Sequence, residues 1–383
     1  MRSDRADVGF IGGGQLARMS AAPATALDLR LAVLANRSDD GAAQVLPDVT
    51  IGDPGDRNAV EALAARCDVL TFDHELVDTE LLERLEAEGH AVRPSSSVMR
   101  LSQSKRMQRE RFRALGLPAP EFVVVDDRSH VADFVARFGL PLIVKADRGG
   151  YDGRGVWTVE DLPALDAMLD ELDERGITPI LEELVPLERE LAMQIARRPS
   201  GEMRTYPLVE TVQVNGMLRE LIAPAPEAGA LHPEARRIVE AIAADCAVTG
   251  LLAVEFFQSN GKLLINEIAT RPHNSGHFSI EGAITSQFEQ HLRAVLDFPL
   301  GSTAMTAPWA VTANIVGGPS GDLLTTQVKR VLALDGVHLH LYGKDARPGR
   351  KIGHLTVLGN DLASTRSLAR RAAAIMHEEC GDD

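Results

Sequence analysis

Between residues 120 and 270 the apolar residues fall in short runs: FVVV, PLIVKA, VWTV, PILEELV, ELAMQIA, TYPLVETVQV, LLAVEFF and KLLINEI. Turn residues such as Asn260-Gly261 separate them. Runs this short do not read as helices, and most are spaced too closely for the crossover that a parallel pair needs. They predict antiparallel hairpins with few helices between them, an α+β block over residues 106–300. The preceding stretch has another rhythm. DVGFI (7–11), LRLAVLA (29–35) and CDVLTF (67–72) alternate with helical patterns such as DTELLERLEAEG. That alternation predicts a Rossmann-like parallel α/β layer over residues 1–105. SSSVMRLSQSKRMQRERFRALGLPAP reads as a long basic helix with a Gly-Leu-Pro stop, placing the first boundary near Lys105. AVTANIVG, VHLHLYG and IGHLTVLG, with a closing Ala/Arg-rich helix, predict a small β-rich domain over residues 301–383.

Composition narrows the function. The 383 residues are 45% hydrophobic and 25% charged, which suits a multidomain protein with sizeable cores. Forty basic against fifty-five acidic residues give a net charge of −15. That charge argues against a general binder of nucleic acid or of anionic membranes. A small anion would need a local cluster of Arg and Lys. Cys67, Cys246 and Cys380 lie far apart and form no CxxC pair, so neither a zinc site nor a disulfide framework is expected. The polar start MRSDRADVGFIGGG predicts no secretory leader, and no run approaches membrane-spanning length. A cytoplasmic protein is expected.

Four features carry chemistry. Gly12, Gly14 and Ala17 satisfy G-x-G-x-x-A after a strand, but the next strand ends in Asn36-Arg37, without the acidic residue a ribose would need. Two readings stay open there: a nicotinamide-dependent oxidoreductase, or a tight turn forming the wall of another ligand's site. Lys145 ends an apolar strand and is followed by RGGYDGRGVW (148–157), a glycine loop able to offer backbone N–H groups to phosphate without a Walker A pattern. EELVPLERELAMQIA (182–196) places Glu182 to accept from an adenine amino group, the backbone of Glu183, Leu184 and Val185 to read the ring edge, and Glu190 to accept from ribose hydroxyls. In VEFFQSNGKLLINEI a strict two-residue turn sets Glu255 opposite Asn266, whereas one bulge brings Glu267 opposite, both carboxylates on one face. Two such oxygen ligands facing phosphates fit magnesium, with manganese as an alternative.

In this order the features resemble the ATP-grasp superfamily, whose β-rich layers clamp ATP. GGGQLARM (12–19), GYDGRG (150–155), NEIATRPHNSGH (266–277), SQFEQHLRAV (286–295) and YGKDARPGRKIGH (342–354) resemble the N5-carboxyaminoimidazole ribonucleotide synthase family in particular. The resemblance implies an ATP-dependent ligase of purine synthesis that joins bicarbonate to 5-aminoimidazole ribonucleotide through carboxyphosphate, as a homodimer. It implies that Lys105 and Lys145 meet the nucleotide phosphates under Gly150, Tyr151, Asp152, Gly153, Arg154, Gly155 and Val156. Glu182–Val185 would hold adenine, Glu190 the ribose, and Glu255 and Glu267 the metal, with Asn266 beside the nucleotide. Asp152, Arg154, His273 and Asn274 match the positions that handle the carboxylating intermediate. Glu75, Tyr151, Arg154, Arg271, Lys344 and Arg350 match those that hold the ribonucleotide. Three positions depart from common patterns: Ala269 replaces a third metal-side asparagine of the wider superfamily, Thr270 replaces a proline, and Gln213 stands where many relatives carry a histidine near adenine.

Overall fold

Strands that are apolar along their whole length need cover on both faces, and the first hundred residues supply it. The computed structural model describes residues 5–149, 155–317 and 321–377. Strands Ala6–Ile11, Leu31–Ala35, Asp48–Ile51, Cys67–Phe72 and Ala91–Val92 form a parallel sheet in which Ala6–Ile11 is central. The chain builds outward on one side and then returns to the other, so the order reverses between Ala6–Ile11 and Cys67–Phe72. Ligands of open α/β sheets bind at such a reversal, beyond the carboxyl ends of the strands. Gly12–Gly14 leave one of these two strands and Asp73–Glu75 leave the other.

The glycine loop closes on a side chain of the protein itself. Asp73 Oδ1 accepts from the Ala17 N–H at 2.8 Å, occupying the N-terminal turn of helix Gln15–Ala26. A Cβ on Gly14 would lie 1.9 Å from Asp73 Oδ2, and one on Gly12, where φ is +102°, would meet the His74 ring at 2.8 Å. The helix terminus where a dinucleotide would place its pyrophosphate therefore holds a carboxylate, which favours the ligand-wall reading.

The middle of the chain forms two antiparallel sheets. Phe122–Val124, Pro179–Glu183, Leu142–Ala146 and Val156–Val159 make the smaller one. Helices Ser129–Phe138 and Leu162–Glu174 pack on it through Phe134, Leu165, Leu169 and Leu172. With His232–Asp245 they are the long helices among these strands, in keeping with an α+β block. Their signals were present: Asp161 caps its helix by accepting from Ala164 N, with a proline in the first turn. The single basic helix expected near Lys105 is two, Ser96–Gln103 and Lys105–Ala114. Ser104 breaks it by accepting from Met107 N.

The larger sheet runs Lys262–Ala269, Gly250–Ser259, Arg189–Arg197, Val209–Val214, Met217–Ala223, Trp309–Val316, Lys351–Gly359, Val337–Leu341, with Met203–Thr205 added beside Arg189–Arg197. Helix His232–Asp245 contributes Ile238, Val239 and Ile242 to the core shared with Leu191, Val254 and Ile265. Trp309–Val316 pairs with Met217–Ala223, so the last strands extend the middle sheet across residue 300. Cys67 is buried and Cys246 half-buried, both as free thiols; Cys380 lies outside the described residues. Among the described residues no helix is long and apolar enough to cross a membrane.

Gly14→Ala forces the loop off Asp73 and is expected to lower stability by roughly 1–3 kcal/mol, the usual range for an overpacked site. Chemical denaturation measures it, and Asp73→Gly in the same chain should recover part of the loss.

Candidate active site

The hairpin Gly250–Ser259/Lys262–Ala269 decides where the acidic pair goes. Asn260 and Gly261 have φ of +49° and +70°, the two-residue turn that suits the strand twist. From there the register runs Ser259 opposite Lys262 to Phe256 opposite Ile265, and then slips. Asn266 is the extra residue, so Glu255 stands opposite Glu267. The bulge thus puts the two carboxylates side by side on one face and frees Asn266, whose Oδ1 accepts from Lys145 Nζ at 3.2 Å.

Cations meet this acidic end from two directions. Lys105 Nζ lies 2.8 Å from Glu267 Oε2. Its helix start is fixed by Asp147, whose Oδ1 accepts from Arg106 N at 2.9 Å and from Ser104 Oγ at 2.7 Å. Lys145, on the smaller sheet, lies 2.7 Å from Glu182 Oε2, while Arg109 Nε lies 2.7 Å from Glu182 Oε1. All three are buried. Burial alone would raise the Glu182 carboxyl, yet the Arg109 and Lys145 charges overcome it and bring it down to about 2. Each Glu182 oxygen thereby pairs with a buried cation and keeps a second lone pair. Of Glu183, Leu184 and Val185, which follow it, Leu184 is exposed.

Carboxylates short of cations behave differently. Burial, then the charges of Glu267 and Glu190, push Glu255 up to about 8. Burial likewise lifts Glu190 to about 7, although Gln213 donates to it. Gln213 keeps its Oε1 buried and without a hydrogen bond. Glu267 is held below its usual range because Lys105 outweighs the effect of burial. Clustered acids that resist ionising for want of positive charge are the donor set a divalent cation relieves. That ground applies to Glu255, and the ionised Glu267 opposite it completes a pair of oxygen donors that suits a divalent cation.

The segment after the hairpin turns back over this end. His273 Nδ1 accepts from Ser275 N at 3.3 Å and sits 2.9 Å from Ser275 Oγ. With Nδ1 accepting, a ring proton sits on Nε2, which faces Glu255 Oε1 at 3.6 Å. Both amide atoms of Asn274 are buried and without a hydrogen bond. Such atoms are rare unless a ligand completes them.

The first sheet supplies the opposite wall. Arg271 Nε donates to Glu75 Oε2 at 2.8 Å across the two domains. Lys344 Nζ donates to Gln15 Oε1 at 2.8 Å in the glycine loop, and Gln44 Nε2 donates to the Gly343 carbonyl at 2.7 Å. Burial draws the Lys344 ammonium below its ordinary range, as do the nearby charges of Arg350 and Lys351. Arg350 donates to the Asp345 carbonyl at 3.2 Å. Lys105, Lys145, Glu190, Gln213, Glu255, Asn266, Glu267, Arg271, His273, Asn274, Glu75, Lys344 and Arg350 thus have described positions. Gly150, Tyr151, Asp152, Gly153 and Arg154 lie outside the described residues. Arg109, Gln15 and Ser275 were not singled out from sequence. Gln15 could have been, since it follows the glycines on the wall that receives Lys344.

Family models match along the chain: a ribonucleotide synthetase preATP-grasp domain over 5–103, an ATP-grasp domain over 110–288, and a phosphoribosylaminoimidazole carboxylase C-terminal domain over 310–368. An N5-carboxyaminoimidazole ribonucleotide synthase of Mycobacterium tuberculosis is 45% identical over 96% of this chain and 86% of its own length. The chain belongs to the N5-carboxyaminoimidazole ribonucleotide synthase family. It is an ATP-grasp ligase. The enzyme of that name from Thermus thermophilus superposes with a TM-score of 0.87 at 35% identity, covering 98% of this chain and 100% of the other. The Aspergillus clavatus family member in complex with ADP and 5-aminoimidazole ribonucleotide gives 0.88 at 31% identity, covering 97% and 99%.

Glu182→Gln leaves Arg109 and Lys145 buried around a neutral amide and is expected to cost about 3–5 kcal/mol at pH 7. The folded carboxyl is lowered, so its contribution is complete above about 4.5 and is lost as pH falls toward about 2. Urea unfolding of both proteins at pH 7 and pH 3 should show the gap narrowing in acid.

Proposed function

We propose that this chain carboxylates 5-aminoimidazole ribonucleotide to N5-carboxyaminoimidazole ribonucleotide at the expense of ATP, in purine synthesis. The observation that carries the reading is a single turn that touches both halves of the cleft. His273 faces Glu255 on the nucleotide side, and Arg271, two residues earlier, pairs with Glu75 of the first domain.

A bicarbonate oxygen attacks the terminal phosphorus of ATP, ADP leaves, and the carboxyphosphate carbon then accepts the substrate amine as phosphate departs and the amine gives up a proton. Magnesium held by Glu255 and Glu267 would neutralise phosphate charge. Lys105 and Lys145 hold the phosphates from two sides, and positioning with electrostatics carries this class of transfer. His273 donates its Nε2–H to a bicarbonate-derived oxygen, and Asn274 offers the unsatisfied ends of its amide. With Nδ1 already accepting from Ser275 N, His273 presents Nε2–H as an orienting donor and not as a base. Asp152, Arg154 and Tyr151 take their substrate roles from motif position alone. Lys344 with Arg350 binds the ribonucleotide phosphate, Gln15 holding the lysine. We read the enzyme as a cytoplasmic homodimer on the family resemblance.

The nicotinamide reading has lost its site to Asp73. Phosphate release from ATP and bicarbonate, with and without the aminoimidazole ribonucleotide, tests the reaction directly; indifference to the ribonucleotide would sink it. Glu267→Gln should abolish turnover while the protein stays folded, because losing a metal ligand costs several kcal/mol of transition-state stabilisation. Arg350→Ala should raise the KM for the ribonucleotide about tenfold to a hundredfold, the worth of one charge-assisted contact of about 1.5–3 kcal/mol, and leave that for ATP nearly unchanged. Steady-state kinetics with each substrate varied in turn separates the two.

A further inference from the structure

Behind the His273 turn, helix Gln287–Val295 begins with a fully buried glutamine. Every hydrogen-bonding position of the Gln287 amide is used. Its Oε1 accepts from the His273 N–H at 2.8 Å and from Gln194 Nε2 at 3.0 Å. Its Nε2 donates to the His273 carbonyl at 2.9 Å and to His277 Nδ1 at 2.8 Å. One side chain thus grips both backbone groups of one residue. Its own backbone is tied down as well, Gln287 N donating to Ser279 Oγ at 2.8 Å.

Burying a primary amide completely is costly unless its bonds are made, and a leucine could occupy the same volume. Two of the four bonds share one residue, the N–H and the carbonyl of His273. Gly276 N also donates to that carbonyl at 2.9 Å, closing the turn that brings Ser275 to His273 Nδ1. The backbone of His273 is therefore held by Gln287, its ring tautomer by Ser275, and its Nε2–H meets the Glu255 side as a result.

We propose that Gln287 is a positioning residue for carboxylation, holding the His273 peptide so that the imidazole Nε2–H is presented to the bicarbonate-derived oxygen beside Glu255. This rests on the reading of His273 given above. Gln287 touches no reactant; it acts through the turn.

Gln287→Leu should raise the KM for bicarbonate about tenfold and lower kcat, since small misplacements of an orienting group cost one to two orders of magnitude. The KM values for ATP and for the ribonucleotide should stay within about threefold. A purely packing role would reduce the active fraction, lowering apparent kcat with all three KM values unchanged, and that result overturns the proposal. Gln287→Glu, which keeps the acceptor toward the His273 N–H and loses both donors, guards against misfolding of the leucine variant. With its thermal shift on ATP and magnesium intact, an unchanged bicarbonate KM would likewise overturn the proposal. His273→Ala separates the two layers. A normal bicarbonate KM there refutes the His273 reading, whereas a raised one beside normal values in both Gln287 variants refutes Gln287 alone.

Discussion

Carboxylates do not gather on one end of a sheet without compensation. Glu190, Glu255 and Glu267 face one another on neighbouring strands, and two of the three are pushed toward or above neutrality when left to themselves. Much around them answers that strain. Lys105 arrives on a helix start fixed by Asp147, and Lys145 arrives from a separate sheet, anchored through Glu182 to Arg109. The site is thus an acidic cluster held short of its charge balance, which the magnesium of the proposed reaction would redress.

The parallel layer, the antiparallel block and most of the strands could be read directly, because apolar runs and turn residues are local signals. The acidic pair was legible only as an alternative. Turn length alone set Glu255 against Asn266, and only the bulge at Asn266 selects Glu267. Local pattern does not reveal bulges, since their cause is what the freed residue then contacts. Here that contact is Lys145, 121 positions away. Glu182 shows another limit of local pattern. Its place in the motif was visible, but its two cations come from a helix and a strand whose packing only the fold defines. The helices among the middle strands carry local signals too, such as the Asp161 cap followed by a proline.

Gln287 and Ser275 were invisible as functional residues for a related reason. Neither carries charge, and neither faces a reactant group. Their importance comes from what they hold, which is the peptide and the ring of a histidine that was already conspicuous.

The shared large sheet and the contact of Lys344 with Gln15 have a consequence for how such a chain can change. The residues proposed to hold the ribonucleotide come from the first domain, the segment after the strand Lys262–Ala269 and the last eighty residues, and the strands of the latter two belong to one hydrogen-bonded ladder. Recombination near residue 300 would cut a sheet between Met217–Ala223 and Trp309–Val316 and divide the proposed substrate site in the same stroke. Substrate specificity in this chain is consequently not a detachable module. It can drift by point substitution in the loops, but it cannot be exchanged by swapping a domain.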